Sequence, residues 1–183
     1  MGRMAFMNST LNYDSSDTVR RKVYITQKDI ASMLDTIVSK MKLDNYVPDT
    51  IVGVNRGGLQ IAVMLSHYFD VPCIPIASSS LDFESWNISN SGKYLVIDDD
   101  CSIGYTLEGI KSTFDAEENI DVKYAVLYYC MSSSVQPDYW AKKCDNMEDS
   151  SLTKCPNIVY PWEVWHMDQI RTFPMGNKFT FKE

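Results

Sequence analysis

Histidine is scarce in this chain, and its cysteines do not cluster. Two histidines, His67 and His166, and five cysteines without a C-x-x-C pair offer no set with the spacing of a structural zinc site. A basic excess is missing too: 17 Lys and Arg stand against 24 Asp and Glu, a formal charge of −7. That balance excludes the basic stripe expected of a non-specific nucleic-acid binder and argues against docking on anionic membrane. No apolar run approaches the ~20 residues of a membrane span, and the first residues lack the apolar core of a signal peptide. The expectation is a cytoplasmic protein with reduced thiols, although Cys144 and Cys155 flank a polar segment and could pair.

With 183 residues, 45% of them apolar, the chain is long enough for one domain with a sizeable core. Residues 1–21 are polar and aperiodic and read as a loose leader, which leaves 22–183 as a single domain. A short apolar strand is expected at 23–25. Thr26, with Asp29 three residues on, then opens a helix over 27–42, whose Ile30, Met33, Leu34, Ile37, Val38 and Met41 share one face. Further strands are expected at 50–54, 73–76, 94–97, 122–129 and 157–160, and a buried helix over 59–69. A helix carrying Leu107, Ile110 and Phe114 on one face follows the fourth strand, and 137–151 reads as irregular. Alternating strands and helices, with strands apolar on both faces, indicate an α/β domain with a mostly parallel central sheet. Ligands of such sheets bind at the carboxyl ends of the strands, where the glycine-bearing loops after Val54 and after Ile97 both fall.

Two loops carry the chemistry. In Val96-Ile97-Asp98-Asp99-Asp100-Cys101-Ser102-Ile103-Gly104-Tyr105-Thr106, a hydrophobic strand delivers paired carboxylates to its end, and a Gly- and hydroxyl-containing turn opens a helix. Amides at such a helix start hold phosphate with help from the helix dipole, and Gly104 permits close approach. Asp98 and Asp99 repel phosphate, so their role is to accept hydrogen bonds from vicinal sugar hydroxyls or to bind Mg²⁺ through water. Alternatively, the same residues form no more than a helix cap. Upstream, Asn55-Arg56-Gly57-Gly58 makes a second tight turn in which two glycines open the backbone to an anion and Arg56 supplies positive charge. A plain β–α turn with a solvated arginine fits that stretch equally.

Together these blocks resemble the signatures of the type I phosphoribosyltransferases, and most closely those of bacterial xanthine-guanine enzymes. Val-Ile-Asp-Asp, four residues, then Gly-x-Thr resembles the family's binding loop for phosphoribosyl pyrophosphate (PRPP). Val52-Gly53-Val54-Asn55-Arg56-Gly57-Gly58-Leu59 resembles its pyrophosphate loop, which often contains a non-proline cis peptide, here Asn55–Arg56. Tyr160-Pro161-Trp162-Glu163 resembles a Pro-Trp-acid segment near the end of those enzymes.

The resemblance implies a type I phosphoribosyltransferase fold, a parallel sheet flanked by helices with a small hood. It also implies transfer of the 5-phosphoribosyl group from PRPP to a nucleobase with Mg²⁺, in a homo-oligomer. PRPP would meet Asn55, Arg56, Gly57, Gly58, Asp98, Asp99, Ser102, Ile103, Gly104, Tyr105 and Thr106. Arg56, Asp98, Asp99 and Ser102 would be the catalytic set, with Asp98 and Asp99 also at the metal. Cys130, Asn157, Ile158, Tyr160 and Trp162 would surround the base. The segment 78–92 matches a loop that closes over the site, with Trp86 and Lys93 as its candidates.

Four positions, in three places, depart from the 6-oxopurine pattern. Ser102 and Ile103 stand where many of those enzymes have Asp and Thr, Cys130 where a Lys reads the base, and Asn157 where an aromatic ring stacks on it. The departures touch base identity more than PRPP, and they leave open a rival reading: a PRPP or nucleotide sensor that kept the fold and lost catalysis.

Overall fold

The computed structural model describes residues 22–79, 81–144 and 157–163. The leader 1–21, Cys155, Trp165 and His166 lie outside the described residues. The chain order is β1 (Lys22–Tyr24), α1 (Gln27–Leu43), β2 (Thr50–Asn55), α2 (Gly57–Phe69), β3 (Cys73–Ala77), β4 (Gly92–Cys101), α3 (Tyr105–Phe114), β5 (Ile120–Cys130), β6 (Tyr139–Cys144) and β7 (Asn157–Val159). Short 3-10 turns lie at Glu84–Trp86 and Pro161–Glu163. Five strands form one parallel sheet in the order β3-β2-β4-β5-β6. β1 and β7 pair in parallel as a second sheet of two strands.

Alternation along the strands sorts the core into two layers. Ile51, Leu95, Ile97, Ala125 and Leu127 face α1, α2 and the small second sheet. Val52, Val54, Tyr94, Val96, Tyr124 and Val126 face α3 and the loop after β3. α1 starts at a capping box: Asp29 N–H donates to the Thr26 hydroxyl and Thr26 N–H to the Asp29 carboxylate. All six of its expected core residues are buried.

Four expectations change. Segment 137–151 contains a strand, β6, where an irregular stretch is expected. Tyr139 is inserted into the core at 1% exposure, and Asp138 anchors the strand by accepting from Tyr124 N–H at 2.9 Å and Lys123 Nζ at 2.8 Å. Trp86 does not line a mobile cover: it is 5% exposed and packs on Phe83 and Phe114. Lys93 lies at the start of β4, paired with Asp121 at the start of β5, and so at the edge opposite the carboxyl strand ends. Cys130 is disulfide-bonded, whereas the expectation is reduced thiols, with Cys144 and Cys155 as the two that could pair.

That opposite edge is tied by Tyr46, 6% exposed, whose hydroxyl donates to the Tyr94 carbonyl at 2.8 Å and the Asp121 carbonyl at 3.1 Å. Its phenol ionises only far above the usual range, because burial and then the Asp121 charge oppose the phenolate, so it stays a donor. Tyr46→Phe strands two carbonyls and should lower the unfolding free energy by ~1–2 kcal/mol, read as a reduced urea midpoint at unchanged slope.

Candidate active site

β2 and β4 are neighbours in register, Val52 beside Val96 and Gly53 beside Ile97, so both glycine-bearing loops emerge at the same sheet edge. They touch. A side chain on Gly57 would occupy the place of the Asp99 carboxylate, and one on Gly58 would run into the Ile97 carbonyl and the Asp98 Cα. Glycine at both positions is therefore a packing requirement set by the acid pair. The Asn55–Arg56 peptide is cis, as the resemblance leads one to expect.

The helices that open at this edge differ from α1 at their starts. Arg56 precedes α2 and Gly104 precedes α3, and neither helix has a capping side-chain hydrogen bond. Their first amides thus point at the edge without a side-chain acceptor, the condition under which helix starts hold anions. Gly104 adopts φ 102°, a left-handed conformation that favours glycine. Ile103 and Tyr105 project outward at 55% and 74% exposure, which leaves their backbones as what they present to the loop interior.

The carboxylates are crowded. Asp99 N–H donates to Asp98 Oδ1 at 2.9 Å, Asp100 N–H donates to Asp99 Oδ1 at 2.9 Å, and the Ser102 hydroxyl donates to Asp100 Oδ1 at 3.2 Å. Burial, then the Asp99 charge, holds the Asp98 carboxyl well above the usual range. Burial, then the Asp100 charge, raises Asp99, and Glu163 adds to the same effect. Ser102 thus has an acidic partner, Asp100, that a reading of the loop alone does not reveal.

Two braces were not anticipated. The crossover from β5 to β6 contains no helix and passes beside the phosphate-type loop: Ser134 N–H donates to the Ile103 carbonyl at 2.9 Å, and its hydroxyl reaches Glu108 Oε2 at 3.1 Å. Ser133 lies 3.1 Å from the Cys101 sulfur, and a side chain on Gly104 would collide with both serines. The only prior sign is the run Ser132-Ser133-Ser134. The second brace is Tyr160, whose hydroxyl donates to the Asp99 carbonyl at 2.9 Å.

Among the expected base-side residues, Ile158 is buried at 8% and Tyr160 at 2% exposure. Tyr160 stacks on Trp162, with centroids 4.7 Å apart and planes 5° apart, so its ring faces the interior and not a ligand. Trp162 is half-buried, and its indole N–H has no acceptor among the described residues. The Cys130 side chain is 3% exposed and engaged in its disulfide, with Sγ 3.1 Å from the Ser132 hydroxyl, so it presents no thiol to a base. Asn157 enters this region through β7, paired in register with Lys22.

The raised carboxyls have a cost that can be measured. A group whose pKa is higher folded than unfolded supports the fold fully below its unfolded value, about 4, and loses that support as pH rises through the folded value. At neutral pH the acid pair is thus a net burden on the ligand-free protein. Asp98→Asn should stabilise it at pH 7 by ~1 kcal/mol. The gain should vanish towards pH 4, which differential scanning calorimetry across that range would check.

The Phosphoribosyl transferase domain family model matches residues 23–164. No curated protein sequence matches. Among solved structures, a purine phosphoribosyltransferase from Pyrococcus horikoshii Ot3 is 28% identical at TM-score 0.59, covering 86% of this chain and 99% of that one. A Helicobacter pylori xanthine-guanine-hypoxanthine phosphoribosyltransferase is 18% identical at TM-score 0.62, covering 84% and 99%. A hypothetical protein from Neisseria gonorrhoeae with bound ppGpp is 17% identical at TM-score 0.66, covering 85% and 97%. The two latter likenesses bear on the fold alone. With two anion-type loops meeting at one sheet edge and the family model spanning both sheets, this chain belongs to the phosphoribosyltransferase family.

Proposed function

We propose that the protein transfers the 5-phosphoribosyl group of PRPP to a nitrogen of a nucleobase, a purine in preference, and releases pyrophosphate. The observation that carries this is the contact of the Asp99 carboxylate with Gly57. It supports a reading in which Asp98 and Asp99 accept from a sugar lying between two anion-binding loops, the order in which PRPP presents phosphate, ribose and pyrophosphate. The preference for purine is supported by the 28% identity with the Pyrococcus enzyme.

In this reading, the amides of 102–106 and the Thr106 hydroxyl hold the 5′-phosphate. Asp98 and Asp99 accept from the ribose hydroxyls, and Arg56 with the Gly57 and Gly58 amides takes the departing pyrophosphate. As the bond from C1 to pyrophosphate loosens, positive charge grows on the ribose beside Asp98 and Asp99, and negative charge grows beside Arg56. Stabilisation of both charges is what lowers the barrier. Among the described residues, no group of three or more His, Cys, Asp or Glu could hold a metal ion. Two partly buried carboxylates held above their usual pKa do fit Mg²⁺ of the kind that takes most of its ligands from substrate and water. Bound there through Asp98 and Asp99, Mg²⁺ would supply charge neutralisation for the pyrophosphate. At the base end, Trp162 remains the aromatic candidate and the Ile158 backbone a hydrogen-bonding one.

Titration calorimetry with PRPP and Mg²⁺ should show binding that Asp98→Asn combined with Asp99→Asn weakens at least a hundredfold, and unchanged affinity in that folded double variant would sink the assignment. Arg56→Ala should weaken PRPP and pyrophosphate about tenfold or more while leaving nucleoside monophosphates nearly unaffected, since a charge-assisted hydrogen bond contributes ~1.5–3 kcal/mol. Pyrophosphate release followed over guanine, xanthine, hypoxanthine, adenine and a pyrimidine identifies the base. PRPP binding without turnover of any of them would favour the sensor reading.

A further inference from the structure

Asp99 is held from three directions. Its carboxylate lies against the bare backbone of Gly57, and its Oδ1 accepts from the Asp100 amide at 2.9 Å. Its carbonyl accepts from the Tyr160 hydroxyl at 2.9 Å. The Asp99 carbonyl and the Asp100 N–H belong to one peptide group. A donor on the carbonyl side therefore fixes the plane of the amide that grips the carboxylate on the other side, and hydrogen bonds in such a chain reinforce one another.

Tyr160 itself has little freedom. It is 2% exposed, stacked on Trp162, and its own N–H donates to Glu163 Oε2 at 2.8 Å, which closes the turn after β7. A backbone carbonyl only accepts, so the Tyr160 hydroxyl is the donor in this bond. A buried tyrosine needed only for volume has no reason to place its hydroxyl on the one peptide that orients an acid of the site.

We propose that Tyr160 is a positioning residue that sets the Asp99 carboxylate for the sugar of PRPP, and so makes the turn after β7 part of the PRPP site rather than of the base pocket alone. This rests on the reading of Asp98 and Asp99 as ribose acceptors. Tyr160 touches no substrate; it acts through the Asp99–Asp100 peptide.

Tyr160→Phe keeps the ring and its stack and removes only the donor. Calorimetry on the full chain with Mg²⁺ should show the PRPP dissociation constant rising about five- to tenfold, the size of one lost hydrogen bond to a buried acceptor. In steady state the rise should fall on the KM for PRPP, while the KM for the base changes little and the melting midpoint falls by no more than the few degrees one lost buried hydrogen bond costs. A double-mutant cycle separates positioning from general loosening: in the Asp99→Asn background, Tyr160→Phe should cost less than half of what it costs alone. Equal PRPP affinity for wild type and Tyr160→Phe overturns the inference, as does a loss fully additive with Asp99→Asn or matched by a large drop in melting midpoint. If wild type itself binds no PRPP, the functional reading fails, and the inference with it, through a result visible before any variant is made.

Discussion

The carboxylate of Asp99 rests on the backbone of Gly57, and the rest of the carboxyl edge is arranged around that contact. Because the acid takes the space, β2 must pass into α2 through glycine. Because Gly58 lies against the Ile97 carbonyl and the Asp98 Cα, the two loops cannot drift apart without leaving a gap in a close-packed interior. One loop carries an arginine and bare glycines and the other carries acids, and the contact brings opposite charges to one place. In the proposed reading, neither loop alone makes a site for a molecule with phosphate at one end and pyrophosphate at the other.

The site is also strained electrostatically. Asp98, Asp99 and Asp100 crowd one another, Glu163 adds its charge to Asp99, and both members of the pair hold their protons more tightly than a free carboxyl does. Proteins keep such arrangements where a ligand supplies the missing counter-charge, and the fold carries the load with its two apolar layers. α3 and α2 begin at that edge without side-chain caps, while α1, which starts in a capping box, is stabilised locally.

Much of this was legible in the residues. The parallel sheet followed from strands apolar on both faces, and the loops from glycines beside acids, since both depend on short-range chemistry. What escaped depends on long-range approach. β6, Tyr-Trp-Ala-Lys-Lys-Cys, is an edge strand whose outer residues are polar, and its membership in the sheet is decided by pairing with β5. Trp86 reads as a loop residue until Phe83 and Phe114 close around it. Tyr160 reads as a ligand-facing ring because Trp162 and Pro161 are beside it, but nothing local says that its hydroxyl ends on Asp99. The hold of Ser134 on the Ile103 carbonyl likewise joins parts of the chain that no spacing rule connects.

The pairing of β1 with β7 joins Lys22–Tyr24 to Asn157–Val159, and Ile25 N–H adds a further bond to the Val159 carbonyl at 3.0 Å. These partners are separated by nearly the whole described chain, so closing that loop carries the largest chain-entropy cost of any strand pairing here. On a ribosome, β1 emerges early and has no partner until β7 has been made. The turn that carries Tyr160 follows β7 directly. A chain that has built its five-stranded sheet but not this pairing therefore still lacks the hold of the Tyr160 hydroxyl on the Asp99 carbonyl.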